Sequence, residues 1–301
     1  MLTPLIAFLA ASILRSPFRN IIWKSWYNYF AHNFGHLGIT LMNYGYANLE
    51  MAHSSPFLLN QNANGEIERY CLQLYHYAAT RVPIQGKDVL EVGCGRGGGA
   101  AYVAQNLNPR SLLGIDLANG NINLCKRTYA ESNLKFLVGN AESLAFPSDS
   151  FDVVLSIESS HCYPHPERFF SEVFRVLRAD GYLILADFRS RSDIAATKEL
   201  LQLSKFKFIE EEDVTKNVLQ AMDLEHERKL AIIHQMVPPS LHNLAYGFAA
   251  TKDSNTYRDF QSGELAYFLY VLKKEHCKET PRSNRGLSHQ FKSSDLTGGR
   301  I

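Results

Sequence analysis

The stretch Asp88-Val-Leu-Glu-Val-Gly-Cys-Gly-Arg-Gly-Gly-Gly99 decides the reading of this chain. Its first five residues are an apolar run with one inner acid, Glu91, and predict a buried strand over 88–92. Glycines then stand at 93, 95 and 97 to 99, and a small-residue helix is expected over 99–107. Without β-carbons the turn can take positive φ and lets a ligand approach the backbone. The helix start adds unpaired N–H groups and a positive dipole end. Together they suit a nucleotide-like cofactor at the carboxyl end of a parallel strand. The pattern alone leaves the cofactor open. Gly93, Gly95 and Gly98 also satisfy G-x-G-x-x-G, and Asp116 is spaced for a ribose contact, so a nicotinamide enzyme fits these residues as well.

Working outward, strands are expected at 111–116, 134–138, 152–157 and 181–187, and helices at 67–80, 119–131 and 166–178. Short runs such as Val153-Val-Leu-Ser-Ile157 suit strands covered on both faces. The alternation predicts an α/β fold with a doubly wound, mostly parallel sheet. Residues 192–236 read as a charged, helical, substrate-side insertion, followed by late strands near 245–250 and 265–272.

The chain has 301 residues, 46% of them hydrophobic, enough for one large domain with an extension. A net charge of +1 makes no case for nucleic acid. The five cysteines form no C-x-x-C pair, so a reducing, cytoplasmic setting is the default. No metal is expected: His161 and His165 lack a convincing third ligand nearby. We divide the chain into an apolar and aromatic N-terminal extension and lid (1–60), a catalytic domain (61–275) and a tail with disorder-like composition (276–301).

Leu2 to Leu14 is nearly all apolar, but a helix of this length spans only ~20 Å against a bilayer core of ~30 Å. Aromatic and basic residues alternate beyond Pro17, as in an interfacial helix. Peripheral membrane contact is one reading, and packing on the enzyme's own core is the other. In Leu41-Met-Asn-Tyr-Gly-Tyr46, Tyr44 and Tyr46 are candidate substrate-side or lid residues.

Glu91-x-Gly93-x-Gly95 resembles motif I of the class I S-adenosylmethionine-dependent methyltransferases, a Rossmann-like family with a seven-stranded sheet. Leu112-Leu-Gly-Ile-Asp116 matches its ribose-binding strand, and Gly139-Asn-Ala-Glu-x-Leu-x-Phe-Pro147 the segment that holds adenine, with Asn140 where Asp is usual. The resemblance implies S-adenosyl-L-methionine as cofactor, held by Glu91, Gly93, Cys94, Gly95, Asp116, Leu117, Asn140, Ala141, Glu142 and Ile157. It also implies that the last two strands form an antiparallel hairpin. A narrower likeness covers roughly residues 20–275. Trp23-x-x-Trp-Tyr27, Ile122-x-Leu-Cys-Lys126, Ser160-His-Cys-Tyr-Pro-His165 and Gly263-Glu-Leu-x-Tyr267 look like the phthiotriol/phenolphthiotriol dimycocerosates methyltransferases. That family implies a hydroxyl on a hydrophobic, lipid-like acceptor.

The sulfonium methyl is already activated, so in-line placement supplies much of the rate. An alcohol also gains from a general base, worth ~10²–10⁴-fold. Glu158, His161 and Asp187 are the candidates, at the ends of the fourth and fifth strands. Glu158-Ser-Ser-His161 and Ala186-Asp187-Phe188 resemble a sugar O-methyltransferase branch in which the His is the base and the Asp supports it. An unperturbed histidine base would titrate near ~6.5. Carbon methylation of the sterol type, a nicotinamide enzyme and a catalytically silent scaffold remain the alternatives.

Overall fold

Side chains alternate across a strand, so a strand covered on both faces must be apolar on both. In β1 (Asp88–Val92) Val89 joins one apolar cluster, while Leu90 and Val92 join the other. The computed structural model describes residues 24, 25, 28, 39–48 and 68–275, and β1 lies inside its seven-stranded sheet. β2 (Ser111–Asp116), β3 (Leu134–Val138), β4 (Phe151–Ile157) and β5 (Leu177–Ser190) run parallel to it. β6 (Lys207–Asp213) and β7 (Leu265–Lys273) complete the order β3-β2-β1-β4-β5-β7-β6. β7 is antiparallel to both of its neighbours. The order reverses between β1 and β4, and there a crevice opens at the strands' carboxyl ends.

Helices cover both faces. α1 (Arg69–Ala79) and α2 (Gly98–Asn106) pack on the Val89 side. α3 (Asn119–Thr128) connects β2 to β3. α4 (Pro166–Val176) buries Phe169, Phe170, Val173 and Val176 on the opposite face, and Pro166 fits its first turn, where an N–H would have no helical partner. α5 (Arg191–Leu203) is capped by the Ser190 hydroxyl, which accepts the Asp193 N–H at 3.3 Å. α6 (Thr215–Met236), α7 (His242–Ala249) and α8 (Asn255–Ser262) lie between β6 and β7 in the chain.

Three expectations are corrected. Residues 245–250 do not form a strand; they lie in α7 and its C-cap. The sixth strand is β6, inside the stretch expected to be helical throughout. Its partner β7 is antiparallel, but three helices separate the two, so there is no hairpin. β6 was hidden by Glu210-Glu-Glu212. Those acids meet cations from flanking elements: Arg81 pairs with Glu210 at 3.3 Å and Glu212 at 3.2 Å, and Lys198 pairs with Glu211. Charge on an edge strand also discourages pairing with another chain. The expected stretches 1–23 and 276–301, with the apolar N-terminus, lie outside the described residues.

The close approach of α2 to α1 demands glycine at 99. A β-carbon there would stand 1.9 Å from Cζ of Tyr75. Gly99→Ala should therefore cost about 1–3 kcal/mol of unfolding free energy. Gly247→Ala, in a helix with nothing near its added carbon, should be neutral or stabilising by up to ~1 kcal/mol. Denaturant unfolding of both variants checks the contrast.

Candidate active site

The turn after β1 is built from left-handed glycines. Gly93, Gly95 and Gly97 have φ of +78°, +54° and +81°. A β-carbon on Gly93 would lie 2.4 Å from Cβ of Ser159, and one on Gly95 would lie 3.0 Å from Cε of Met42. The N–H groups of Gly93 and Cys94 both donate to the Ile115 carbonyl, at 2.8 and 2.9 Å, which ties the turn to β2. Asp116 ends β2 beneath the turn. Its Oδ2 accepts the Gly95 N–H at 3.0 Å and its Oδ1 the Ala118 N–H at 2.8 Å. Burial pushes this carboxyl up to about 6, against the lowering by those hydrogen bonds.

The expected cofactor residues separate into two groups. Gly93, Cys94, Gly95, Asp116, Leu117, Asn140, Ala141 and Ile157 line the crevice. Glu91 and Glu142 do not line it. Glu91 sits behind Tyr75, whose hydroxyl donates to Glu91 Oε1 at 2.7 Å. Burial pushes Glu91 up to about 7, and its Oε2 has no hydrogen-bond partner among the described residues. Glu142 instead accepts the His165 N–H at 2.9 Å, at the start of α4. Asn140 spends part of its carbonyl on the Glu142 N–H, at 3.0 Å.

The ends of β4 and β5 meet across the crevice. Asp187, 5% exposed, is the hub. Its Oδ1 lies 2.8 Å from His161 Nδ1 and accepts the Phe188 N–H at 2.9 Å. Its Oδ2 accepts the His161 N–H at 2.9 Å and the Ser160 hydroxyl at 2.6 Å. Arg189 pairs with the same oxygen at 3.2 Å and donates to Ser160 at 2.6 Å. Burial opposes ionisation of Asp187, but Arg189, His161 and these donors hold it well below the usual carboxylate range. Ser160 and Arg189 were not expected; their only signal was adjacency to His161 and Asp187. The His161 ring lines the crevice, 4.4 Å from the Phe188 ring between centroids. Burial alone would lower the His161 pKa. Electrostatic interaction with Cys162 and with the Asp187 carboxylate, and hydrogen bonds to both, outweigh it and push it up to about 10. The ordinary histidine midpoint expected from sequence is thus displaced upward. A neutral imidazole so held can take a proton through Nε2. Glu158 lines the crevice from an unusual backbone position, φ +45°. Its Oε1 accepts the Tyr44 N–H at 2.8 Å, and burial, reinforced by Asp187, pushes it up to about 8.

Tyr44 lines the crevice, but Tyr46 does not; it is buried and stacked on Tyr77 at 4.0 Å. Residues 39–48 are fastened along their length. Glu68 accepts the N–H groups of Thr40 and Leu41 at 2.6 and 2.7 Å, and the Tyr46 N–H donates to Tyr70 at 3.0 Å. A second cavity lies between this segment, α6 and α7, and shares Leu41, Met42, Asn43, Tyr44 and Phe248 with the crevice.

The raised His161 pKa is directly measurable. Its folded value lies above the ordinary ~6.5, so its pairing with Asp187 stabilises the fold fully below that pH. The contribution is lost as pH rises through about 10. NMR titration of His161 should show an imidazolium through pH 8, and Asp187→Asn should bring the midpoint down.

A "Methyltransferase domain" family model matches residues 90–185, from β1 into β5. A phthiotriol/phenolphthiotriol dimycocerosates methyltransferase of Mycobacterium tuberculosis is 35% identical over 254 residues, covering 84% of this chain and 92% of that one. A fatty-acid O-methyltransferase of Mycolicibacterium smegmatis is 32% identical over 236 residues, covering 78% and 84%. Among solved structures, a geranyl diphosphate C-methyltransferase from Streptomyces coelicolor A3(2) superposes with a TM-score of 0.62 at 15% identity, covering 86% and 98%. That likeness is one of fold. With the sequence relatives, it leads to the conclusion that the chain is an S-adenosyl-L-methionine-dependent class I methyltransferase and belongs to the phthiotriol/phenolphthiotriol dimycocerosates methyltransferase family.

Proposed function

We propose that this enzyme methylates an oxygen, a hydroxyl, on a hydrophobic lipid- or polyketide-like acceptor. The observation that carries this reading is the second cavity. Its walls are mostly apolar, and it adjoins the crevice, with Tyr44 and Phe248 lining both. The names of the two mycobacterial relatives support a lipid-like acceptor, and one of them supports oxygen.

The residues present fit S-adenosyl-L-methionine. The glycine turn leaves a cradle that β-carbons would fill, and Asp116 offers an acceptor beneath it for two vicinal hydroxyls. Gly93, Cys94 and Gly95 would hold its methionine part, with Glu91 in support through Tyr75. Leu117, Asn140, Ala141 and Ile157, which line the crevice, would hold its adenosine part. Glu142 acts through the loop it ties to α4. When bound, the cofactor would supply an activated methyl on a sulfonium, a positive charge that would disfavour protonation of a histidine lining the same crevice. His161, oriented by Asp187 through Nδ1, takes the acceptor's proton on Nε2. Ser160 and Arg189 keep Asp187 ionised, so the protonated imidazole is stabilised as it forms. Tyr44 and its neighbours Leu41, Met42 and Asn43 form part of the crevice wall.

Methylation at carbon is the competing reading, favoured by one observation. The Glu158 carboxyl, pushed up to about 8, is largely protonated at neutral pH and can relay a proton. Incubating lipid extracts with enzyme and a methyl-labelled donor, then locating the label by mass spectrometry, decides between them. A label on carbon would overturn the oxygen reading.

His161→Ala should lose at least ~10²-fold in turnover and keep its cofactor affinity. Wild-type turnover should rise with pH as the imidazolium is lost, from a limb displaced above the ordinary histidine range. Near-normal turnover in folded His161→Ala would remove the base from the mechanism.

We also read Leu2 to Leu14 as a peripheral membrane contact that brings the cavity to a bilayer-borne acceptor. Among the described residues no helix is long and apolar enough to cross a membrane. Deleting residues 1–17 should leave cofactor affinity unchanged and reduce sedimentation with liposomes.

A further inference from the structure

The second cavity is apolar over most of its surface, through residues such as Leu41, Met42, Ile232, Ile233 and Met236. Three ionisable side chains also face it: Glu68, Arg228 and Lys229, besides the Cys71 thiol. Glu68 is occupied by the backbone of Thr40 and Leu41 and by the Thr40 hydroxyl. Arg228 is paired with the buried Glu225 through Nε at 2.6 Å and through Nη2.

Lys229 is different. Its ammonium donates to the Ala249 carbonyl at 3.0 Å and stands 5.9 Å from the centre of the Tyr44 ring. Among the described residues it makes no ion pair within 4.0 Å. An ammonium carries three donors, and lysine ordinarily carries its head group to water. Here burial favours the neutral amine and the Arg228 charge adds to that, against the opposing influence of Cys71 and Glu158. A bound anion would relieve both costs. The unpaired charge is single, because Arg228 already has its carboxylate. A singly charged carboxylate therefore matches the wall better than a doubly charged phosphate does.

We propose that Lys229 pairs with a carboxylate on a long-chain acceptor whose apolar chain lies in this cavity. The inference deepens the lipid-acceptor reading and rests on it for the identity of the cavity's occupant. Lys229 sits on α6 and reaches the end of α7, so one side chain links the chain-binding helices to the charge they receive. The Tyr44 ring, below the ammonium, is tilted against Phe188 with ring centres 5.3 Å apart, and Phe188 lies against His161. A carboxylate anchored at Lys229 thus fixes how far the chain extends toward the crevice.

The test uses the full chain saturated with S-adenosylhomocysteine, with dodecanoate and dodecanol as probes below their aggregation limits, followed by calorimetry. Wild type should bind dodecanoate about tenfold or more tighter than dodecanol, the scale of a charged hydrogen bond. Lys229→Met should erase that preference while binding dodecanol as before, and Lys229→Arg should retain it. Equal affinity for both probes in wild type, binding of neither, or an undiminished preference in Lys229→Met would overturn the proposal. If Lys229→Met lowers the melting temperature and leaves the preference intact, the residue only caps α7, and the proposal also fails. The readout is binding without methyl transfer, so a failure of the hydroxyl-methylation reading would show separately, in the labelling experiment.

Discussion

The site depends on how closely α1 can approach the glycine turn. Gly99 has no β-carbon, and the Tyr75 ring takes up that space. The contact seats α1 against α2 and carries the Tyr75 hydroxyl to the buried Glu91. From that seat α1 holds the covering segment. Glu68, just before its first turn, binds the backbone at 40 and 41; Tyr70 and Cys71 bind it at 46 and 43. The wall between the crevice and the apolar cavity is thus positioned by a packing contact at the far end of a helix. A main-chain wall held by many hydrogen bonds can keep two chemically different spaces apart without a thick layer of side chains.

Four carboxyl groups gather near one end of the sheet, and their partners set them apart. Asp187 is met by two backbone N–H groups, a hydroxyl, an imidazole and a guanidinium, so it stays ionised although buried. Asp116 has two backbone donors and the Asn121 amide at 3.4 Å, and is pushed up only to about 6. Glu91 has one hydroxyl and reaches about 7; Glu158 has one backbone N–H, with Asp187 nearby, and reaches about 8. Burial raises all four, and the number and charge of the donors decide how much is recovered. One short stretch of structure therefore supplies a permanent anion and groups that change protonation near neutral pH.

Much of this was legible in the chain. β1 to β5 declare themselves as apolar runs between glycine, proline and asparagine breaks, and Asp116 follows from its place after β2. β6 was not legible, because three consecutive acids look solvent-exposed until Arg81 and Lys198 are brought alongside. Ala245-Tyr-Gly-Phe-Ala-Ala250 has strand-like composition, but its neighbours on α6 and α8 make it a helix. His161 and Asp187 could be paired from their strand ends. The pKa of His161 could not be read, since it follows from Cys162 and Asp187 winning against burial. Lys229 carried no local signal; its importance arises only from what α6 faces.

The sheet order has a consequence for how the chain is made. β7 is the last of the described strands in the chain, yet it fills a gap between β5 and β6. Until residues 265–273 leave the ribosome, two strand edges stand open and α6 to α8 hang in an unclosed loop. The crevice rests on strands that can pair earlier, because β1 to β5 are contiguous in sequence order. Strands β1 to β5, which carry the crevice, can therefore pair before the side that carries α6 to α8, which must wait until residues 265–273 have been made. Long-range pairing of this kind is slow and leaves edges open to aggregation, so the β5–β7–β6 side is where a nascent chain most needs a holding partner.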